Sequence, residues 1–350
     1  MKHKKSMTIA TATWIAVAIA LAGCAGPISS GGNAEVSLLS PIPPSVYFFP
    51  GFVAEALGYF EEEGIDFRYE TVGEDVSMTS LLENGRVNVA APGASEVLQG
   101  LAAGQVFEVV YDYYEHAAEG IVVPAGSSIQ SMGDLDGKVI GIAGDELRGM
   151  VAFALDVQGL SVDDVELVNV GNGGSIIVNS FDSGAIDAFA GSVLDFAGLQ
   201  AAGFDLTAIT PDEIADIPAA SFAVTPGYLD ENADVLERFL RAWSKGLHAG
   251  LTNPALVEKV MREASPEEWE DESVGLASLE EAIKLQEQDS SAYGSLSEEA
   301  WLGATELAII GGDIQEEVPL DSFLFDGLIN GANDFDRAMV EADAKAFVAG

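Results

Sequence analysis

Leu82-Glu83-Asn84-Gly85-Arg86-Val87-Asn88-Val89-Ala90 and Phe181-Asp182-Ser183-Gly184-Ala185-Ile186-Asp187-Ala188-Phe189 follow one pattern. In each, an apolar residue, an acid and a small polar residue lead to glycine. An apolar strand then starts, with Asn88 or Asp187 after its first apolar residue. Glycine after a helical stretch supplies the left-handed turn that ends a helix, and alternation after it predicts a strand. Ninety-nine residues apart, the two stretches predict two related units.

Working outward from each copy gives the same order of elements. Around the first, Val36–Leu39 reads as a strand. Phe49, Phe52, Val53, Ala56, Leu57 and Phe60 fall at helical spacing up to Gly64, and Ile65–Glu70 reads as a strand. Val76–Glu83 and Ser95–Ala103 complete a β-α-β-α-β-α unit. Around the second, Lys138–Ile142, Leu147–Val157, Val165–Asn169, Ser175–Phe181, Ile186–Phe189 and Leu194–Ala201 repeat it. Alternation of this kind predicts an α/β protein with helices packed on its sheets. The extended runs Phe107–Tyr114, Gly120–Pro124 and Ser221–Thr225 join the units and supply the crossings of a hinge. From Ala233 on the pattern is helical, with Leu236, Phe239, Leu240, Trp243 and Leu247 on one stripe. Pro266-Glu267-Glu268 reads as a helix start. The fold class expected is therefore α/β, two Rossmann-like lobes with a hinge and C-terminal helices. The first lobe is drawn over 35–123 plus 218–350 and the second over 124–217.

The N-terminus has a separate logic. Lys2, Lys4 and Lys5 precede an uncharged, mostly apolar run from Met7 to Leu21. That run is short of the ~20 residues a spanning helix needs, and it ends in Leu21-Ala22-Gly23-Cys24. The three-part pattern predicts a secretory signal over 1–23. The last four residues resemble a lipobox, which makes Cys24, the only cysteine, a lipidation site. Ala25–Ala34 is small, polar and Gly/Ser-rich and reads as a flexible tether, so the tethered segment is 24–34. With Cys24 acylated, no thiol is left for metal or nucleophile chemistry.

The chain of 350 residues carries 57 acidic and 15 basic residues. Residues 1–23 contain three lysines and no acid, leaving 12 basic residues against 57 acidic, a formal charge of −45. That charge excludes nucleic acid and anionic lipid headgroups as partners. The acids are dispersed along amphipathic segments, a pattern similar to that of proteins adapted to high salt, where counter-ions screen the repulsion.

In open α/β sheets, ligands bind beyond the carboxyl ends of the strands. This rule selects Ser40–Pro50, Thr71–Ser77 and Ala91–Ser95 in the first lobe, and Ala143–Gly149, Val170–Ser175 and Ala190–Asp195 in the second. Tyr47 and Phe48 lie in a rigid proline-rich loop and offer faces for a planar ligand. Tyr113 belongs to the polar-aromatic cluster Tyr113-Tyr114-Glu115-His116, where His116 reads as a structural histidine. Ser95, Asn172 and Ser192 sit at or next to helix starts, where capping and ligand contact compete as roles. Glu96 follows Ser95. Asp145, Arg148 and Asp195 supply charge on the second lobe, and Asp145 also suits a cap. Two acids at 145–146 make a poor anion receptor. The expected ligand is therefore neutral or cationic. There is no Gly-x-Ser-x-Gly elbow, His-Glu-x-x-His or phosphate loop, so no catalytic residue, metal site or cofactor is expected.

Four stretches carry a family resemblance: Ala54–Asp66 (AEALGYFEEEGID), Leu82–Leu98, Met132–Gly141 (MGDLDGKVIG) and Val235–Trp243 (VLERFLRAW). In this order they resemble the substrate-binding proteins of bacterial ABC importers, in the family that handles nitrate, alkylsulfonates, taurine and thiamine-pyrimidine precursors. The resemblance covers roughly Val36 to Gly250. It implies a type 2 periplasmic-binding fold closing on a small-molecule solute, and a permease and ATPase complex as partners. The leader and Cys24 place the protein outside the cytoplasm, held on the membrane by a lipid anchor, and a monomer is expected. The solute implied is a thiamine-precursor-like pyrimidine or another nitrogen heterocycle, with nitrate, alkylsulfonate or taurine as the alternative. The family commonly has Gly-Ser or Gly-Thr where this chain has Gly144-Asp145. Some eukaryotic relatives make the thiamine pyrimidine with a cysteine-rich motif, and that motif is absent from this sequence.

Overall fold

The structure, a computed structural model, describes residues 33–73, 76–288 and 291–349. The signal at 1–23, Cys24 and nearly all of the tether lie outside the described residues. Among the described residues, ten strands form two five-stranded sheets. In chain order they are β1 (Ala34–Ser40), β2 (Ile65–Thr71), β3 (Val89–Ala90), β4 (Glu108–Tyr114), β5 (Glu119–Pro124), β6 (Val139–Ile142), β7 (Glu166–Asn169), β8 (Ala188–Ser192), β9 (Leu206–Ala208) and β10 (Ala220–Val224).

The first sheet has the order β2-β1-β3-β10-β4 and the second β7-β6-β8-β5-β9. Each begins with three parallel strands, then takes one antiparallel strand that has just crossed from the other lobe. The two sheets are thus built to one plan, and each lends the other a strand.

The repeated sequence occupies equivalent places. Helices Met78–Glu83 and Gly174–Asp182 end at Gly85 and Gly184, whose φ angles are 65° and 69°. Only glycine enters that region without steric cost. In both copies the N–H of the glycine and of the next residue close the helix end: Gly85 to Leu82 and Arg86 to Leu81, Gly184 to Phe181 and Ala185 to Ser180. Asn88 and Asp187 then reach back to the neighbouring parallel strand. Asn88 Oδ1 accepts the Ser37 N–H at 2.9 Å, and Asp187 Oδ2 accepts the Val139 N–H at 3.0 Å.

Three expectations change. Strand β5 begins at Glu119 and lies in the second sheet between β8 and β9, so the first crossing falls at Glu115–Ala118, ahead of the expected 123/124 boundary. The reason is its apolar run: Ile121, Val122 and Val123 are buried in the second lobe. The helix expected up to Gly64 is a 3-10 turn at Val46–Phe48 and two helices, Phe49–Ala56 and Tyr59–Glu62, separated at Leu57-Gly58. Strand β9 was not visible in the pattern, since its three residues pair only with β5 at the sheet edge.

The first lobe's core forms where the long helix Pro226–Thr252 packs on Phe49–Ala56. Phe239, Trp243 and Phe222 sit in mutual ring contact with Tyr113 and Phe67. Fully burying side chains of this size contributes about 1.5–3 kcal/mol each. Arg241 adds a two-pronged pair to Glu63, at 2.9 and 2.8 Å, tying the long helix to Tyr59–Glu62. Two C-terminal helices then span the lobes. Glu272–Gln286 packs against Val193–Ala201 of the second lobe, and Glu298–Gly311 packs against Arg148–Val157. They are the elements that hold the lobes at their present separation.

Candidate functional site

Between the lobes, at the carboxyl ends of β3 and β6, lies a cavity of about 540 Å³. This size suits a small organic ligand. The first lobe contributes the turn Gly93-Ala94-Ser95 and Gln99, and the second contributes Asp145, Leu147, Arg148 and Met150. Crossing residues Ala117, Glu119, Pro218 and Ala219 form its floor, and the helix Glu298–Gly311 closes one side with Ala304, Leu307 and Ala308.

The polar groups of the cavity are not equivalent. Arg148 Nε donates to Asp145 Oδ1 at 2.9 Å, so the cation and the acid neutralise each other. Ser95 Oγ donates to Asp313 Oδ2 at 3.0 Å and accepts from Gln99 Nε2 at 3.0 Å. Glu119 has no such partner. Its side chain is exposed to solvent, and its own backbone N–H is the one hydrogen bond it takes among the described residues; nearby protein raises its carboxyl above the usual range, which that hydrogen bond partly offsets. Sequence reasoning missed Glu119. The one available signal was its place at the head of an apolar run that enters the second sheet.

Of the ten ligand candidates, Ser95, Asp145 and Arg148 line this cavity. Ser95 is not a cap: the helix Ala94–Ala102 is preceded by Gly93, and the hydroxyl goes to Asp313 instead. Asp145 likewise spends its carboxylate on Arg148, and the short turn there starts from Gly144. Glu96 points to its own lobe and accepts from the Thr79 N–H and Ser77 Oγ, both at 3.1 Å. Ser192 and Asp195 form a reciprocal capping box at the start of Val193–Ala201: the Ser192 N–H donates to Asp195 at 2.8 Å. Asn172 lies exposed in the loop before Gly173, which takes the cap position of the next helix.

Tyr47, Phe48 and Tyr113 are at most 3% exposed and belong to the first lobe's core. Phe48 packs on Tyr113 at 5.1 Å and edge-on to Tyr69 at 5.6 Å. Their faces are used by protein, not presented to the cavity. The loop is pinned by partners far away in sequence. Ser45 Oγ donates to Glu268 at 2.8 Å, and the Tyr47 carbonyl accepts from the Tyr114 hydroxyl and Gln286 Nε2.

A larger cavity of about 980 Å³ lies on the hinge side, against the C-terminal half of Arg148–Val157. Carboxylates dominate its wall, including Asp112, Asp156, Asp212 and Glu299. Glu115 and His116 in its wall lie just beyond the carboxyl end of β4, and no group of acids or histidines suited to a metal occurs among the described residues. His116 in its wall faces Asp216 at 3.5 Å.

Sheet order, crossings and an interlobe cavity define a two-lobed α/β protein of the periplasmic-binding type. Residues 45–256 match the family described as NMT1/THI5 like, and the chain belongs to that family. The riboflavin-binding protein RibY of Chloroflexus aurantiacus is 24% identical over 224 residues, 63% of this chain and 63% of RibY. The match therefore spans less than two thirds of that relative's length. The 4-amino-5-hydroxymethyl-2-methylpyrimidine phosphate synthase THI11 of Saccharomyces cerevisiae is 22% identical over 244 residues, 67% of this chain and 72% of that protein. Among solved structures, the periplasmic aliphatic sulphonate binding protein SsuA from Escherichia coli superposes with a TM-score of 0.65 at 13% identity. It covers 84% of this chain and 93% of SsuA, a likeness of fold.

Proposed function

We propose that this protein is the solute-binding component of an ABC importer, which captures a small organic molecule between its lobes and delivers it to a permease. The observation that carries the reading is the cavity at the ends of β3 and β6, walled by both lobes and floored by the crossings between them. A ligand there contacts both lobes at once and stabilises the closed form by its differential affinity. Two binding proteins among the relatives and neighbours, RibY and SsuA, support this reading. The yeast synthase raises an enzymatic alternative. Against it, this sequence has a single cysteine, in the N-terminal segment, and lacks the cysteine-rich motif that the resemblance attaches to that activity.

The solute proposed is a neutral or cationic nitrogen heterocycle, of the thiamine-precursor or flavin kind. Among the described residues lining the cavity, the one cation, Arg148, is already paired with Asp145, so a sulfonate or nitrate would meet net negative charge. We place the protein outside the cytoplasm as a monomer, lipidated on Cys24 after removal of residues 1–23. Mass spectrometry of the membrane-bound form checks this: the mature chain starts at an acylated Cys24, and an unmodified cysteine contradicts it.

A thermal-shift screen of the purified protein against pyrimidines, flavins, amines, sulfonates and nitrate tests the ligand class. A solute that binds only the native state raises the melting temperature by mass action. A shift with heterocycles or amines is expected. A shift with sulfonates or nitrate alone overturns the ligand class, and no shift with any of them overturns solute capture.

A further inference from the structure

We infer that Asn172-Gly173 is a self-modification site, where the Gly173 backbone nitrogen displaces the Asn172 side-chain amide and water opens the resulting ring to aspartate and isoaspartate. The inference concerns the chemistry of one loop and stands apart from the solute-capture reading.

The step balances without a cofactor. The Gly173 nitrogen gives up its proton and forms a bond to Asn172 Cγ. The bond from Cγ to the side-chain nitrogen breaks, and that nitrogen leaves as ammonia, taking up the proton. A succinimide ring is closed. Water then adds to one of the two ring carbonyls and breaks its bond to the Gly173 nitrogen. Opening at Cγ gives aspartate, and opening at the backbone carbonyl gives isoaspartate. Either way a neutral amide becomes a carboxylate. A glycine in the attacking position has no Cβ to obstruct the approach, and the reaction needs the two atoms held close in an attacking geometry.

The chain has three Asn-Gly pairs, each with an exposed asparagine, so exposure does not choose among them. Hydrogen bonding and packing do. Asn84 Nδ2 donates to the Ser80 carbonyl at 2.7 Å, and the Gly85 N–H donates to the Leu82 carbonyl at 2.9 Å. Both reacting groups are committed to the helix end. Asn330-Gly331 lies inside the helix Ile329–Ala332, where the Gly331 carbonyl accepts from Arg241 Nη1 at 3.0 Å and the Glu237 side chain packs against the glycine.

Asn172-Gly173 has none of these restraints. Neither the Asn172 side chain nor the Gly173 N–H has a hydrogen-bond partner among the described residues. Gly173 is extended, with φ −82° and ψ 110°, and lies just ahead of the helix Gly174–Asp182. Gly171 and Gly174 flank the pair and put no side chain over it. The attacking geometry is thus reached without breaking a bond of the fold. The loop follows the carboxyl end of β7, on the side of an open α/β sheet where ligands bind, so conversion adds a negative charge to that face.

Peptide mapping by mass spectrometry tests the inference, on folded protein incubated in mildly alkaline buffer, with isoaspartate assigned by electron-transfer fragmentation. Asn172 is expected to convert about tenfold faster than Asn84 and Asn330, or more, and to give aspartate and isoaspartate together. In urea-unfolded protein the three pairs are expected to convert at similar rates, because what protects the other two is the fold. Gly173→Ala, whose Cβ would meet the movable end of the Ile176 side chain at 3.3 Å, is expected to slow conversion at Asn172 about tenfold. Equal rates at the three pairs of the folded protein, or a slower rate at Asn172, overturn the inference. So does aspartate without isoaspartate, the product of water attacking Cγ directly, and so does an unaltered rate in Gly173→Ala.

Discussion

Gly149 of the second lobe and Gly311 of the first meet backbone to backbone: a Cβ added to Gly149 would lie 3.0 Å from the Gly311 Cα. Neither partner has a side chain that could move aside. The contact lies where helix Arg148–Val157 packs on helix Glu298–Gly311, at the edge of the interlobe cavity. Because both atoms are backbone, the present separation of the lobes depends on two residues without side chains.

Gly149→Val should therefore prop this edge open. The radius of gyration in small-angle X-ray scattering should rise relative to wild type, and affinity for a cavity ligand should fall about tenfold, or about 1.4 kcal/mol. An unchanged scattering profile would show that the contact does not set the lobe separation.

Asn88 and Asp187 hold corresponding parallel strands by accepting the backbone N–H of Ser37 and Val139. Removing either acceptor leaves a strand N–H without its partner. Asn88→Ala and Asp187→Ala should each lose about 1–3 kcal/mol in urea unfolding, the cost of an unsatisfied donor. Arg86→Ala, at an exposed position of the same motif, should stay within about 0.5 kcal/mol of wild type. Equal effects at all three positions would count against the pairing.

Asp112 is fully buried between β4, β10 and helix Glu298–Gly311, where Ser221 Oγ and Trp301 Nε1 donate to it at 2.5 and 3.1 Å. Burial pushes its carboxyl up to about 7, against the lowering effect of those two hydrogen bonds. The folded value lies above the unfolded one of about 3.9. Its stabilising contribution is thus complete below about pH 4 and lost as pH rises through about 7. Each unit of difference corresponds to about 1.4 kcal/mol. Asp112→Asn, whose amide keeps an acceptor for Trp301 and a donor for Ser221, should gain stability relative to wild type between pH 4 and pH 8. A stability difference constant over that range would contradict a buried, titrating Asp112.

A formal charge of −45 beyond the first 23 residues makes self-repulsion a property of the whole surface. The Debye length falls from about 10 Å at 0.1 M to about 3 Å at 1 M salt. The melting temperature should therefore rise from low to molar potassium chloride. A flat or falling dependence would remove the case for a surface adapted to high salt.

The fold was legible because its punctuation is local. The Gly85 and Gly184 turns, the strands after them and the stripe Leu236–Leu247 can be read from a few adjacent residues. The site was less legible because its assignments depend on distant partners. Tyr47 and Phe48 looked available in a proline-rich loop, but that loop is covered through Glu268 and Gln286, more than two hundred residues away. Ser95 and Asp145 suited caps, and lost that role to Asp313 and Arg148. Glu119 carried no motif. Its place in the cavity wall follows from the crossing of β5 into the second sheet, which is a property of three-dimensional packing.

The most direct test of the account is a crystal structure of the protein with the solute that gives the largest thermal shift. The account predicts that ligand in the cavity between Ser95, Glu119 and Arg148, touching both lobes. A solute bound elsewhere on the surface, or touching one lobe only, would contradict it.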